Sequence, residues 1–355
     1  MEKKPDDELE KRIKSILGDF DPTVPPPKIS PVAEGVKRPT WSVMIPTYNC
    51  AKYLTKTLES VLEQDPGPEH MQIEVVDDCS TLDDPEKVVR EVGKGRVAFH
   101  RNPKNSGYCT LNFNICIQRS IGHLVHILHG DDYVLPGFYK EIECLSVKNT
   151  DQQMFATGVL YLNDKDKITS TSRFLTGLAK NSHDYTEFLV ETPLQCAGIV
   201  LRRSFYEKNG AFQPMLVHAA DCEMWVRAIR ISGCCLSPLI LAAYRIFENN
   251  DTGRLARTAE NLIDVLRLSQ IFRQDCDQFP YEEAIQHLIS RATEQAKKFR
   301  AIGNAEAAKA AQDFADALTP PHAPLPSGLA WFLYAFSNFL RRRADEIYLN
   351  KYTDY

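Results

Sequence analysis

Four short apolar runs, Ser42-Val43-Met44-Ile45, Ile73-Glu74-Val75-Val76, Arg96-Val97-Ala98-Phe99-His100 and Leu124-Val125-His126-Ile127-Leu128, alternate with stretches whose apolar residues recur at helical spacing. Runs this short, broken by turn residues, predict buried strands rather than helices. The helical patterns between them cover Tyr53 to Leu62, Pro85 to Val92, and a segment that follows the Asn102 to Gly107 loop and ends near Ser120. Strands joined through helices form βαβ units, which close only into a parallel sheet. The fold class is therefore α/β, with a mostly parallel central sheet.

In an open sheet of this kind, ligands bind beyond the carboxyl ends of the strands. Three of those ends carry polar or acidic residues: Pro46-Thr47-Tyr48-Asn49, Asp77-Asp78-Cys79-Ser80 and His129-Gly130-Asp131-Asp132. Adjacent carboxylates repel one another, and hydrogen bonds or a hard cation such as Mg²⁺ or Mn²⁺ keep such a pair ionised. A metal-assisted reaction on a phosphate-bearing substrate is one reading of Asp131-Asp132. The other is a surface turn in which one of the acids caps the helical pattern after Pro136. Neither a GxxxxGK[ST] loop nor a GxGxxG turn follows the first strand, so phosphate binding falls to the metal.

In order and spacing, Val43-Met44-Ile45-Pro46-Thr47-Tyr48-Asn49, Val76-Asp77-Asp78-Cys79-Ser80 and Leu128-His129-Gly130-Asp131-Asp132 resemble the nucleotide-sugar domain of family 2 glycosyltransferases, the inverting group with the GT-A fold. Asn112-Phe113-Asn114-Ile115-Cys116-Ile117 resembles the approach to the metal motif in one branch of the family, and the likeness runs from about residue 40 to 248. The resemblance implies that Pro46, Thr47 and Tyr48 line the nucleotide pocket and that Asp78 accepts a hydrogen bond from the base. It implies that Asp131 contacts the ribose or a metal-bound water and that Asp132 ligates Mn²⁺ or Mg²⁺.

Further along, Met154 to Leu162 and Lys167 to Arg173 read as strands, and Tyr185 to Val190 as a short helix. Ala219-Ala220-Asp221-Cys222-Glu223 opens a helix which in the family starts with an acidic pair whose second member is the catalytic base. Here those positions are Ala220 and Asp221. Asp221 is thus the candidate base, with Glu223 in reserve; an N-cap is the alternative reading of Asp221. Ile240 to Arg245 reads as a strand. Many family members place a metal-binding histidine two residues beyond the Tyr244-Arg245 pair, and this chain has Phe247 there.

The ends of the chain differ from its middle. Asp6 to Leu17 has a short amphipathic pattern, and Asp21-Pro22-Thr23-Val24-Pro25-Pro26-Pro27 is extended. Leu255 to Phe272, Tyr281 to Phe299 and Ala305 to Leu318 are helical in pattern. The expected organisation is an N-terminal arm over 1–38, a GT-A domain over 39–250 and a helical extension over 251–355. Gly328 to Leu340, rich in aromatics and followed by Arg341-Arg342-Arg343, suits either a docked helix or subunit contact, or an anionic bilayer surface.

A net charge of −5 leaves no footprint for nucleic acid. Ten cysteines without a CxxC pair, an acidic and lysine-rich start, and no apolar stretch of spanning length suggest a reduced, cytoplasmic protein, at most peripheral to the inner face of a membrane. The expected partners are a nucleotide-sugar donor, UDP-linked first of all, and a carbohydrate or glycolipid acceptor. An inactive nucleotide-sugar-binding scaffold is the alternative.

Overall fold

The computed structural model describes residues 7–172, 194–247, 251–276 and 279–319. The helix expected at Tyr185 to Val190 and the aromatic and arginine stretch at 328–343 lie outside these residues. The chain divides into two compact units, one of Val24–Phe247 and one of Met1–Thr23 with Glu248–Tyr355.

In chain order, α1 (Asp7–Leu17) precedes β1 (Trp41–Thr47), α2 (Ala51–Leu62), β2 (Met71–Asp77), α3 (Pro85–Gly93), β3 (Ala98–Arg101), α4 (Cys109–Arg119) and β4 (Leu124–Ile127). Then come β5 (Tyr133–Val134), α5 (Phe138–Lys148), β6 (Met154–Leu162), β7 (Ile168–Thr171), β8 (Ile199–Arg202), α6 (Arg203–Asn209), α7 (Ala220–Ser232) and β9 (Cys234–Arg245). The strands lie side by side in the order β3-β2-β1-β4-β8-β6-β9-β5, with β7 on β6. From β3 to β4 every pairing is parallel. Beyond β4 the sheet is mixed: β8 runs antiparallel to both neighbours, β9 parallel to β6, and β5 antiparallel to β9.

All seven residues of β1 are buried, because a central parallel strand is covered on both faces and so reads as an unbroken apolar run. Pro46 fits near its end: β4 pairs only as far as Met44, so the missing N–H interrupts no ladder there. Asp84 caps α3 by accepting from the Lys87 amide, with Pro85 in the first turn.

Between Val24 and Arg38 the chain is a strap on this unit. Gln213 Nε2 donates to the Val24 carbonyl at 2.7 Å, and the Ala211 amide donates to Pro27 O at 2.8 Å. In the other unit α1 joins α8 (Asp251–Arg257), α9 (Glu260–Asp275), α10 (Tyr281–Ala301) and α11 (Ala305–Leu318). Ile13 is buried there with Leu262, Leu266, Leu288 and Phe314. No helix among the described residues is long and apolar enough to cross a membrane.

Two expected elements differ in extent. The pattern from Leu255 to Phe272 is two helices, interrupted where Ala259 takes a positive φ of 60°. The strand expected from Ile240 begins at Cys234, straight after Gly233 ends α7 with φ 71°.

At the start of β4 the backbone of β1 comes within contact of Gly122: an added Cβ would lie 2.5 Å from the Trp41 carbonyl carbon and 2.6 Å from the Ser42 nitrogen. Neither atom can swing aside as a side chain would. Gly122→Ala is expected to cost about 2–3 kcal/mol of stability, read as a lower urea midpoint with an unchanged slope.

Candidate active site

The three strand ends are tied to one another. The Asp78 amide donates to Thr47 O at 2.9 Å, and the Asn49 amide donates to Ser80 Oγ at 2.8 Å. Asn49 Oδ1 accepts from the Thr81 and Leu82 amides at 2.9 and 3.0 Å. Both Asn49 and Cys79 have positive φ, 50° and 62°, a conformation that asparagine accepts more readily than most residues. The Gly130 amide reaches Pro46 O at 3.0 Å, which brings the β4 end against the β1 end. From α2, the buried Thr57 hydroxyl lies 3.0 Å from Gly130 O and 2.7 Å from Asp132 O and is shared between them.

Pro46 and Thr47 are buried at the end of β1, while Tyr48 is 48% exposed at the mouth. Asp78 is 4% exposed. Its carboxylate accepts from Asn102 Nδ2 at 2.8 Å, Asn105 Nδ2 at 3.0 Å, and the amide and hydroxyl of Ser106 at 3.1 and 2.7 Å. A carboxylate offers about four lone-pair positions, so the chain's own donors fill them. A base N–H that reaches Asp78 must exchange with one of these donors. Sequence reasoning missed Asn102, Asn105 and Ser106; the one signal was the polar loop between β3 and α4.

At the third end, ligand atoms of His129, Asp131 and Asp132 lie within 4.8 Å of one another. Asp132 is 1% exposed, and its Oδ1 accepts the Arg245 amide at 2.9 Å. Its Oδ2 is buried without a hydrogen bond, with His129 Nδ1 at 3.8 Å. Burial first, and then the negative charge of Asp131, push the Asp132 carboxyl well above the usual range. A buried carboxylate oxygen lacking a donor, beside a second acid and an imidazole, is a donor set suited to a hard divalent cation. His129 is a third ligand candidate that the sequence motif did not single out. Its ring stacks on Phe113 at 4.8 Å. Phe247 packs against Tyr53 with the rings tilted by 41° and their centroids 5.2 Å apart, and it offers no ligand atom.

Asp221 is the second residue of α7, half-buried, and the capping position belongs to Ala219. The N-cap reading is thereby set aside. The Cys222 amide donates to Asp221 Oδ1 at 2.7 Å. The buried Cys196 thiol is pushed well above its ordinary range, by burial foremost and then by the charges of Asp221 and Asp132. Both acids therefore lie within electrostatic reach of one sulfur. Glu223 is committed elsewhere: it forms a two-point pair with Arg227 at 2.8 and 3.0 Å, and Arg227 also donates to Gly210 O and Ala211 O.

Residues 42–209 match the family model described as Glycosyl transferase family 2. An uncharacterized protein of Mycobacterium tuberculosis is 26% identical over 260 residues, 69% of this chain and 79% of its own. The poly(ribitol-phosphate) beta-N-acetylglucosaminyltransferase TarS of Staphylococcus aureus is 33% identical over 94 residues, 26% of this chain but only 16% of TarS. Among solved structures, TarS 1–349 in complex with UDP-GlcNAc superposes with a TM-score of 0.50 at 15% identity, over 81% of this chain and 95% of that one. The mannosyltransferase PcManGT of Pyrobaculum calidifontis, in complex with GDP-Man and Mn²⁺, gives a TM-score of 0.50 at 16% identity, over 96% and 92%. At these identities the superpositions establish the GT-A fold and nothing further.

The Asp132 carboxyl also sets a stability test. Its folded-state pKa lies above the unfolded value, so the folded state loses stability as pH rises from the ordinary carboxylate range through the raised value. Asp132→Asn removes that loss. Thermal unfolding in EDTA at pH 8 is expected to show a higher Tm for the variant than for the parent chain, and a smaller difference at pH 4.

Proposed function

The chain belongs to glycosyl transferase family 2 by its residues 42–209, and on that premise we propose that it moves a sugar from a nucleoside-diphosphate donor to an acceptor hydroxyl with inversion. The observation that carries this reading is the cluster of His129, Asp131 and Asp132, in which Asp132 Oδ2 is buried without a hydrogen bond. Residues 39–250 are the catalytic domain in this reading, with 1–38 as an arm and 251–355 as a helical extension.

Pro46, Thr47 and Tyr48 form one wall of the nucleotide pocket, and Asp78 meets the base edge after exchanging one of its internal donors. Asp131 and Asp132, with His129, hold Mn²⁺ or Mg²⁺, which supplies neutralisation of the charge that builds on the departing diphosphate. Asp221 takes the proton from the acceptor hydroxyl. The acceptor oxygen then bonds to the anomeric carbon from the face opposite the diphosphate, and the bond to the diphosphate oxygen breaks. A single in-line displacement inverts the centre.

A uridine donor is favoured because Asp78 is an acceptor suited to an imide N–H, and TarS was solved with UDP-GlcNAc. The GDP-Man complex of the mannosyltransferase keeps guanosine in the test. The acceptor class proposed is a carbohydrate or glycolipid, in polysaccharide or glycoconjugate synthesis on the cytoplasmic side, with peripheral membrane contact or self-association through the C-terminal helices. Phe247, which offers no ligand where a histidine was expected, favours the second reading of a binding scaffold without turnover. Donor binding with neither transfer nor donor hydrolysis over a broad acceptor panel supports that second reading.

Asp221→Asn keeps the side-chain shape and removes the base. Transfer is expected to fall about 10²- to 10⁴-fold, while the Kd for the nucleoside diphosphate stays within about twofold. Equal losses in binding and transfer would contradict the role given to Asp221.

A further inference from the structure

The acid turn is held from a direction that no motif announces. The Arg245 side chain, 2% exposed, lies under it at the end of β9. Nη1 donates to Asp131 O, and Nε and Nη2 both donate to Asp166 Oδ1. The face of the guanidinium rests on the Tyr53 ring, 4.4 Å from its centroid, and the Tyr133 ring lies at 5.9 Å. The main-chain amide of the same residue donates to Asp132 Oδ1 at 2.9 Å. One residue thus touches both acids, by side chain and by backbone.

A buried guanidinium needs an anion, and Arg245 is paired with the carboxylate of Asp166. That partner comes from the turn of the β6–β7 hairpin. Asp166 has φ 59°, a left-handed conformation that few residues besides glycine, asparagine and aspartate adopt. Asn163 Oδ1 fixes the turn by accepting from the Lys165 and Lys167 amides at 2.9 and 3.0 Å. Lys56 shares the Asp166 carboxylate, at 3.1 Å from Oδ2, and lies over the Tyr133 ring at 4.2 Å.

Resting on the reading of Asp131 and Asp132 as metal ligands, we propose that Arg245 and Asp166 form a latch that positions the acid turn for its cation. Both are positioning residues: neither offers an atom to the metal. The hairpin turn then sets how tightly the site takes a divalent ion, because a loosened Asp131 carbonyl lets the turn drift while Asp132 alone stays anchored. Support of this kind around ligating carboxylates typically changes metal affinity 10- to 100-fold when removed.

Asp166→Gly is the decisive variant. Glycine adopts φ 59° without strain, so the backbone of the hairpin turn is preserved while the counter-ion of Arg245 is removed. Asp166→Asn retains one acceptor and tolerates the same backbone. On the full chain, with Mn²⁺ alone as probe and electron paramagnetic resonance as readout, the Kd is expected to rise about 10-fold in Asp166→Gly and by less in Asp166→Asn. Amide exchange at 130–133 is expected to quicken in the same order, and nucleoside diphosphate binding without metal to stay unchanged. An unaltered Mn²⁺ Kd together with unaltered exchange at 130–133 would overturn the latch. If the parent chain itself takes up no Mn²⁺, the metal reading fails, and the exchange rates at 130–133 still decide whether Asp166 holds the turn.

Discussion

The buried carboxylate of Asp132 is the constraint around which the site is built. Moving an ionised acid out of water next to a second acid is unfavourable unless something positive or hydrogen-bonding meets it. The fold supplies only half of what is needed: the Arg245 amide satisfies Oδ1, and Oδ2 is buried without a donor. Everything nearby serves to keep that arrangement from collapsing. Gly130 lets the turn pass the β1 end, where an added Cβ would lie 3.0 Å from Cys50 Sγ and 3.1 Å from Thr47 Oγ1. The Thr57 hydroxyl is shared between the carbonyls of Gly130 and Asp132, which ties the turn to α2.

The proposed nucleotide side follows a different logic. Asp78 is as buried as a core residue, yet it is surrounded by donors from one loop, so the charge is met before any ligand arrives. The β1 and β2 ends are cross-linked through Asn49 and Ser80. In the proposed role, strand ends held in this way need little ordering when a nucleotide binds. Asp221, the proposed base, lies on a helix whose next acid, Glu223, is already paired with Arg227.

The parallel half of the sheet was legible in the sequence because a strand covered on both faces is a mostly apolar run, and Val43 to Ile45, Ile73 to Val76 with only Glu74 polar, and Leu124 to Leu128 with only His126 polar, are such runs. The acids at their ends were legible for the same reason: the strand tells where its end is. The mixed half was less so. The first half of β9 escaped notice because Ser237 and Pro238 interrupt its apolar pattern, and its register with β6 shifts near Gly158. The helix break at Ala259 has no glycine or proline to mark it. The hydrogen bonds of Asp78 to Asn105 and Ser106, and of Arg245 to Asp166, join residues 27, 28 and 79 positions apart. Spacing rules see partners three or four residues away, not pairs that only the sheet order brings together.

The most direct test of a metal-assisted nucleotide-sugar site at the three strand ends is the thermal stability of the purified chain with UDP, GDP and other nucleoside diphosphates, each with and without Mn²⁺. A ligand at about 100 times its Kd adds roughly 2.7 kcal/mol to the folded state. Stabilisation by one diphosphate, UDP first, that grows when Mn²⁺ is present is the expected result. No stabilisation by any of them, with or without Mn²⁺, would contradict the site as described.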